Sequence, residues 1–226
     1  MKYLLLTLAF LVVSKNPMKT QVSNDEVVLV FSIHQNRQIY EASIYGEPPQ
    51  FAIWLQDPHS GTVKTVFVTY RTGHGDLEGK SEVPVALPAW ISAFHKETGR
   101  SDLPTPRKPV DIAVSGATEK AADISKKVSV PEGSTWNYYI EVNVAGDFNP
   151  AFPSYQDNGA LDPHGNGQPS LVYQGTIKAV QGQSSSPQLV GRTEQMYISK
   201  TISPDLSGVD TAKELFKKME VSCFLK

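Results

Sequence analysis

The sequence has 226 residues, of which 40% are hydrophobic and 19% are charged, and its formal net charge is -2. This is ordinary globular composition, long enough for one large domain or two small ones. Acidic residues slightly outnumber basic ones, which argues against a nucleic-acid partner, because such proteins neutralise phosphates with a basic surface. The 16 glycines and 16 prolines favour many turns, as in an all-β chain.

The N-terminal segment has the layout of a secretory signal peptide. Lys2 precedes an almost unbroken apolar run from Tyr3 to Val13, and this run is shorter than the roughly 20 residues that a membrane-spanning helix needs. We therefore expect residues 1–14 to be the signal peptide, residues 15–25 a linker, and residues 26–226 an exported domain, periplasmic or secreted, with no membrane span of its own. The alternative interpretation of the apolar run is a buried N-terminal strand.

The first part of the domain predicts strands. Glu26 to Gln35 is rich in β-branched and aromatic residues and predicts the first strand, and Ile39 to Tyr45 is a candidate continuation of the sheet. Phe51 to Gln56 and Thr62 to Tyr70 flank a five-residue loop that contains proline and glycine, which predicts an antiparallel hairpin. Alternation places four residues on one face of its second strand: Val63, Thr65, Phe67 and Thr69.

Further strands and two helices are predicted over the rest of the chain. Leu87 to Lys96 has apolar residues at helical spacing and predicts a short helix on one end of the sheet, with Pro88 near its start and Gly99 at its C-terminal stop. Thr211 to Met219 predicts a second helix. Four more segments predict strands: Thr135 to Val144, Ser170 to Val180, Gln188 to Ile198 and the final Val221 to Leu225. Alternation places five residues of the first of these on one face: Trp136, Tyr138, Ile140, Val142 and Val144. Together, these strands and helices predict an all-β fold, an antiparallel immunoglobulin-like β-sandwich with two short peripheral helices.

Five segments occur in an order that resembles the DUF2271 family of predicted periplasmic proteins. They are PPQFAIWLQDPHSGTVKTVFV, LPAWISAF, SGAT, YYIEVNVAGDFN and GNGQPSLVY, and the resemblance spans Val27 to Phe224. It implies export and an immunoglobulin-like sandwich. Because this family is associated with bacterial flavin-dependent redox systems outside the cytoplasm, the resemblance also implies a non-enzymatic binding or accessory component of such a system. A membrane-bound PepSY-type redox protein is the partner it suggests.

The segment Ser115-Gly116-Ala117-Thr118 also resembles the acceptor motif of covalently flavinylated proteins, in which a transferase joins the phosphate of FMN to the threonine hydroxyl. Small residues leave the backbone exposed, so that a bulky donor can reach a hydroxyl. In the familiar pattern an aspartate lies six positions before the threonine, whereas Asp111 lies seven positions before Thr118. The alternative function is therefore an electron carrier with FMN on Thr118, its site completed by Ser115, Gly116 and Asp111.

A structural role is the competing interpretation of the same segment. Serine and glycine favour a tight turn, and Thr118 is placed to cap a short helical turn before Glu119.

The polar loop over residues 146–167 suggests a third function, an exported module that binds calcium or carbohydrate. Calcium takes several oxygen ligands, and Asp157, Asp162 and Asp147 are the candidate metal ligands. A solvated loop without a ligand is the competing interpretation.

No sequence motif gives positive support to an enzyme. The chain lacks a Gly-x-Ser-x-Gly nucleophile elbow and a glycine-rich phosphate loop, and its five histidines do not fall at metal-ligand spacing. Trp54, Trp90 and Trp136 lie among apolar residues, which predicts buried packing. Cys223 is the only cysteine and is expected to be a small buried side chain.

Overall fold

The computed structural model describes residues 25–75, 86–111, 113–155, 165–194 and 201–226. Three helices are α1 (Arg37–Glu41), α2 (Tyr70–His74) and α3 (Pro88–Thr98), and a 3-10 turn covers Thr211–Glu214. The strands in chain order are β1 (Glu26–Gln35), β2 (Gln50–Gln56), β3 (Val63–Thr69), β4 (Ser115–Gly116), β5 (Asp123–Pro131), β6 (Thr135–Asn143), β7 (Leu171–Lys178), β8 (Ser184–Ser185), β9 (Gln188–Arg192) and β10 (Phe216–Leu225).

The strands form two sheets that pack face to face. One sheet has the order β5-β1-β10-β8, and the other has the order β4-β3-β2-β6-β7-β9. Strand pairing within the described residues is antiparallel except between β3 and β4. The predicted all-β sandwich with short helices is confirmed.

The inner core lies between the two sheets. On β1, alternate residues point inward, and Phe31 meets Tyr138 of β6 edge to face at 5.8 Å between ring centroids. Each large apolar side chain buried in this way contributes roughly 1.5–3 kcal/mol. The predicted inward face of the sixth strand is confirmed, since all five of its members belong to this core: Trp136, Tyr138, Ile140, Val142 and Val144.

A second core lies outside the sandwich, where α3 covers the outer face of the six-stranded sheet. Trp90, Ile91 and Phe94 of α3 pack there with Ala52 and Val68 of the sheet. Pro88 starts the helix and Gly99, with φ of 70°, ends it, as the sequence predicts. The predicted position at one end of the sheet is wrong, because the helix lies across a sheet face and adds a third layer.

A buried carboxylate fixes the start of α3. Glu141 lies on β6 with its side chain on the outer face, and it accepts hydrogen bonds from the backbone N–H groups of Ala89 at 3.1 Å and Trp90 at 2.6 Å. The hydroxyl of Ser170 donates a third hydrogen bond at 2.6 Å. These N–H groups have no partner inside their own helix, so the carboxylate caps the helix from the sheet.

A β-bulge in β3 corrects the predicted face of that strand. Ile53 pairs with Phe67 and Trp54 pairs with Thr65, which leaves Val66 as an extra residue. The side-chain alternation therefore reverses within the strand: Val63 packs in the outer core and Phe67 in the inner core. The bulge also frees the N–H of Thr65, which donates to the carboxylate of Glu97 on α3 at 3.0 Å.

Two elements differ in type from the sequence prediction. The predicted helix from Thr211 to Met219 is a 3-10 turn followed by β10, because Phe216 and Met219 pair with β1 and occupy a central strand position. Sheet pairing thus overrides a helical pattern. The predicted sheet continuation at Ile39 to Tyr45 is instead occupied by α1 and a turn, and the side chain of Asn36 caps this helix.

Several further predictions about buried residues and membrane spans are confirmed, and others lie outside the described residues. Trp54, Trp90 and Trp136 are buried, and so is Cys223. The proposed signal peptide and the end of the strand predicted at Gln188 to Ile198 lie outside the described residues. Of the helices that the described residues form, none has the length and apolar character to cross a membrane.

The buried carboxylate of Glu141 predicts a pH dependence of stability. Burial raises its pKa from 4.5 to about 7, although the hydrogen bonds to Ser170 and Trp90 act in the opposite direction. Between these pH values the folded protein holds a proton that the unfolded chain has lost, so the free energy of unfolding falls as pH rises through this window. We expect a fall of roughly 3 kcal/mol from this group, measured by chemical denaturation at several pH values from about 5 to about 8.

Glu141→Gln is expected to remove the decrease in the free energy of unfolding that Glu141 contributes as pH rises. Glu132→Gln, at an exposed turn residue, is the matched control and should keep the full wild-type pH profile. A Glu141→Gln profile parallel to that of the wild type would contradict the prediction.

Candidate functional site

A cleft of about 420 Å³ opens beside Thr118 and is the candidate functional site. Its walls come from α1, the loop that leads into β2, the helix α2, and the segment that follows β4. The residues that matter for its chemistry are Arg37, Gln50, Arg71, Thr118 and Lys120, together with two glutamates.

The order of strands explains why distant segments meet at this cleft. β3 runs directly into α2, and β4 pairs with the end of β3, with Val68 opposite Ser115. The chain that leaves β4 therefore emerges beside α2. As a result Thr118 and Arg71, which are far apart in sequence, line the same cleft.

The cleft contains two internal ion pairs and one additional cation. Arg37 donates to Glu41 at 2.8 Å, and Arg71 donates to Glu47 at 3.4 Å. Lys120 is exposed and makes no ion pair with any residue that the structure describes. Since the two pairs balance, Lys120 leaves a net positive charge that favours an anionic ligand.

The amide of Gln50 is a fixed hydrogen-bond donor at the cleft. Its carbonyl oxygen accepts from the hydroxyls of Thr69 at 2.6 Å and Thr72 at 2.9 Å, all three residues being buried. The amide nitrogen has no hydrogen-bond partner within the described ranges, and Gln50 lines the cleft. The two threonines thus orient the amide so that its N–H groups can serve a ligand oxygen.

Thr118 contributes a hydroxyl to the same cleft. It is half-buried and lies on an irregular stretch between β4 and β5, with no helical turn over residues 117–120, so the predicted helix-capping role is wrong. Its hydroxyl makes no hydrogen bond to the described part of the chain. It is therefore open to a ligand.

The other three residues of the flavin-acceptor hypothesis do not line the cleft. The carboxylate of Asp111 accepts from the N–H of Ala113 at 2.9 Å and closes a turn. Gly116 lies so close to Phe67 that a Cβ atom would come within 2.9 Å of the ring. Ser115 Oγ lies 3.2 Å from His74 Nε2. The predicted site residues are therefore adjacent in sequence but differ in surroundings.

The calcium hypothesis concerns a different loop. Asp157 and Asp162 lie outside the described residues. Asp147 is buried, and its two oxygens accept hydrogen bonds from the N–H of Gln168 at 2.7 Å and the hydroxyl of Thr211 at 3.2 Å. Among the described residues there is no group of three or more histidine, cysteine, aspartate or glutamate side chains that could hold a metal ion.

Asp147 joins three loops through these hydrogen bonds. The side chain of Gln168 donates to the carbonyl of Asp147 and to the carboxylate of Asp210, which connects residues 146–149, 165–168 and 208–211. Burial, with a smaller contribution from the negative charge of Asp210, raises the pKa of Asp147 to about 7. This carboxylate therefore has a structural role in the described part of the chain.

Comparison with known proteins identifies no relative. No family model, no curated protein and no solved structure matches this chain. The resemblance to the DUF2271 family stays a prediction, and the function must be argued from the site itself.

Sequence reasoning missed most of the cleft. Arg37, Gln50, Arg71 and Lys120 belong to four separate segments, and none of them carries a local motif. These side chains share only a polar group, a cation in three of them and an amide in the fourth, and such groups are common on any protein surface. Only the strand pairing brings them together.

Asp147→Asn tests the structural role of Asp147. Asparagine can accept from Gln168 and donate to Thr211 without adding a charge beside Asp210. The folded-state pKa of Asp147 is raised from 3.8 to about 7, so the wild type loses stability as pH rises between these values. From about pH 5 to about pH 8 we expect the stability of the variant relative to the wild type to increase by roughly 3 kcal/mol, as for Glu141.

Denaturant unfolding at the two pH values measures this difference. Asp111→Asn, at an exposed turn that asparagine can keep, is the matched control and should show no such gain. An unchanged difference between Asp147→Asn and wild type at the two pH values would show that Asp147 is ionised throughout.

Proposed function

We propose that this protein is an exported, non-enzymatic binding component of a flavin-linked redox system outside the cytoplasm, and that the cleft beside Thr118 binds the phosphate of FMN. A membrane-bound PepSY-type redox protein is the proposed partner. One observation carries the ligand site: Lys120, the Gln50 amide and the Thr118 hydroxyl line one cleft, and none of these three donors has a partner among the residues that the structure describes.

The chemistry of a phosphate monoester matches these donors. Such a group carries between one and two negative charges near neutral pH and has three strong acceptor oxygens. Hydrogen bonds from a charged donor are roughly twice as strong as those between neutral groups, and the ammonium of Lys120 supplies such a donor. Arg37 and Arg71, each held by a glutamate, place guanidinium groups at the cleft wall, although their charges are balanced within the pairs.

The composition of the cleft favours binding over turnover. Within the described residues its lining contains no histidine or cysteine, its two glutamates are paired with Arg37 and Arg71, and no base is hydrogen-bonded to the hydroxyl of Thr118. A hydroxyl needs such a base to act as a nucleophile under ordinary conditions. The site supports a role in holding an anionic cofactor.

Lys120→Ala tests the proposed binding of FMN. Because Lys120 makes no internal ion pair among the described residues, its removal should leave the fold intact and weaken binding about tenfold, the equivalent of one lost charged contact. The measurement is a titration of free FMN with purified protein, followed by flavin fluorescence.

Two controls define the result. Lys127→Ala removes an exposed lysine from β5 and should bind FMN like the wild type. Riboflavin, which lacks the phosphate, should bind much more weakly than FMN. Equal affinity for the two flavins, or no effect of Lys120→Ala, would refute the phosphate site.

A second candidate function is electron transfer by FMN esterified to Thr118. It is favoured by the position of this hydroxyl, which lies in the cationic cleft and makes no hydrogen bond to described residues. In this case the cations would hold the phosphate while an external transferase forms the ester.

Co-expression with a flavin transferase separates the two functions. Covalent attachment predicts flavin fluorescence that stays with the denatured protein, persists in Thr118→Ser and disappears in Thr118→Val. A denatured protein without fluorescence, under conditions that label a known acceptor, rejects the covalent function and leaves non-covalent binding to be judged by the titration.

A further inference from the structure

The hydroxyl of Ser115 has a histidine partner, which distinguishes it from Thr118. Ser115 Oγ lies 3.2 Å from Nε2 of His74, a residue 41 positions earlier in the chain. Both residues are half-buried. The pair is therefore reachable from solvent and is not part of either hydrophobic core.

Glycines allow the close approach that creates this contact. A Cβ atom on Gly73 would come within 2.9 Å of Val68 and 3.4 Å of Ser115 Cβ. Gly75, with φ of 58°, ends α2 so close to Pro104 that a Cβ atom would lie 2.2 Å from its carbonyl oxygen. Larger residues at these positions would push α2 away from β4 and separate the histidine from the serine.

The imidazole of His74 is held by an aromatic ring. Tyr70, one helical turn earlier on α2, stacks on it with ring centroids 3.9 Å apart and an angle of 19° between the ring planes. Stacking restricts the rotation of the imidazole, so that Nε2 stays directed at Ser115. The imidazole is thereby held beside the Ser115 hydroxyl, and Nε2 can accept its proton in the tautomer that carries the ring proton on Nδ1.

We propose that Ser115 is a nucleophilic acceptor site, activated by His74, which takes an acyl group from an activated ester. The site is independent of the phosphate-binding cleft, because it rests on a different hydroxyl and a different partner. It adds a covalent chemistry that the cleft around Thr118 lacks.

The step is an acyl transfer. Ser115 Oγ forms a bond to the carbonyl carbon of the ester, and its proton passes to Nε2 of His74. The tetrahedral intermediate then breaks the bond to the leaving alkoxide or phenoxide, which carries away the electron pair. The products are Ser115 acylated on Oγ and the released leaving group. The proton either stays on His74 as imidazolium, beside a free alkoxide or phenoxide, or passes to that leaving group, and no oxidation state changes.

The surroundings of His74 favour a single acylation over rapid hydrolysis. No carboxylate among the described residues bonds to the second nitrogen of His74, which in serine hydrolases stabilises the imidazolium. Without this support both steps are slowed, but an activated ester has a good leaving group and still acylates Ser115, whereas the acyl-serine is an ordinary ester and should persist. The proposed site is therefore one of covalent modification.

The test uses p-nitrophenyl acetate and the full-length protein. We expect a burst of one equivalent of p-nitrophenolate per protein, with a single acetyl group found on Ser115 by peptide mass spectrometry. Ser115→Ala should abolish the burst, and Ser115→Cys should restore acylation at the same position. His74→Phe, which keeps an aromatic ring to stack on Tyr70, should slow acylation about 100-fold.

Ser101→Ala is the matched control and should leave the burst unchanged, because Ser101 is an exposed serine outside both the pair and the cleft. Thermal unfolding of each variant shows whether the fold is retained, and Ser115→Cys decides the question if Ser115→Ala is unstable. Acetylation on lysine or Thr118, an undiminished burst in Ser115→Ala, or an equal rate in His74→Phe would each overturn the proposal. The result is independent of FMN binding, so the failure of either proposal leaves the other standing.

Discussion

The outer core, formed by α3 on the six-stranded sheet, depends on the buried carboxylate of Glu141. Two groups are costly to bury alone: a carboxylate, and the N–H groups at the start of a helix. Here they satisfy each other, since Glu141 accepts from Ala89 and Trp90. This exchange fixes where α3 begins on the six-stranded sheet. The apolar face of α3, with Trp90, Ile91 and Phe94, can then cover the sheet and form the outer core.

The position of α3 also constrains β3, and β3 in turn organises the candidate sites. Glu97 of α3 bonds to the backbone of Thr65, at the bulge that reverses the faces of this strand. β3 continues into α2, which carries Arg71 and His74, and pairs with β4, which carries Ser115. The phosphate cleft and the serine–histidine pair therefore share one structural support, although they use different residues.

The sequence was most informative where local pattern and tertiary position agree. The β-branched and aromatic content of β1, the alternation in β6, and the proline and glycine that bound α3 were sufficient to predict those elements. It failed at β10, where a helical pattern lies in a segment that the sheet needs as a central strand. The bulge at Val66 carries no signal of its own, since an extra residue in a strand is defined only by its partner. For the cleft, the motif indicated Thr118 alone, because Arg37, Gln50 and Arg71 come from other segments and the nearby Lys120 is not part of the motif.

The segment from Ser115 to Thr118 shows how neighbouring hydroxyls acquire different chemistry. β4 ends at Gly116, so Ser115 is held in the sheet beside α2 while Thr118 lies beyond the strand in the cleft. A serine next to an imidazole can lose its proton as it attacks, whereas a threonine next to cations and an amide can only donate to or bond an incoming anion. The motif alone assigns reactivity to its threonine. The contacts place a base, His74, beside the serine and the anion site beside the threonine. Attachment of a phosphate ester at Thr118 therefore requires an external catalyst, whereas the proposed acylation of Ser115 does not.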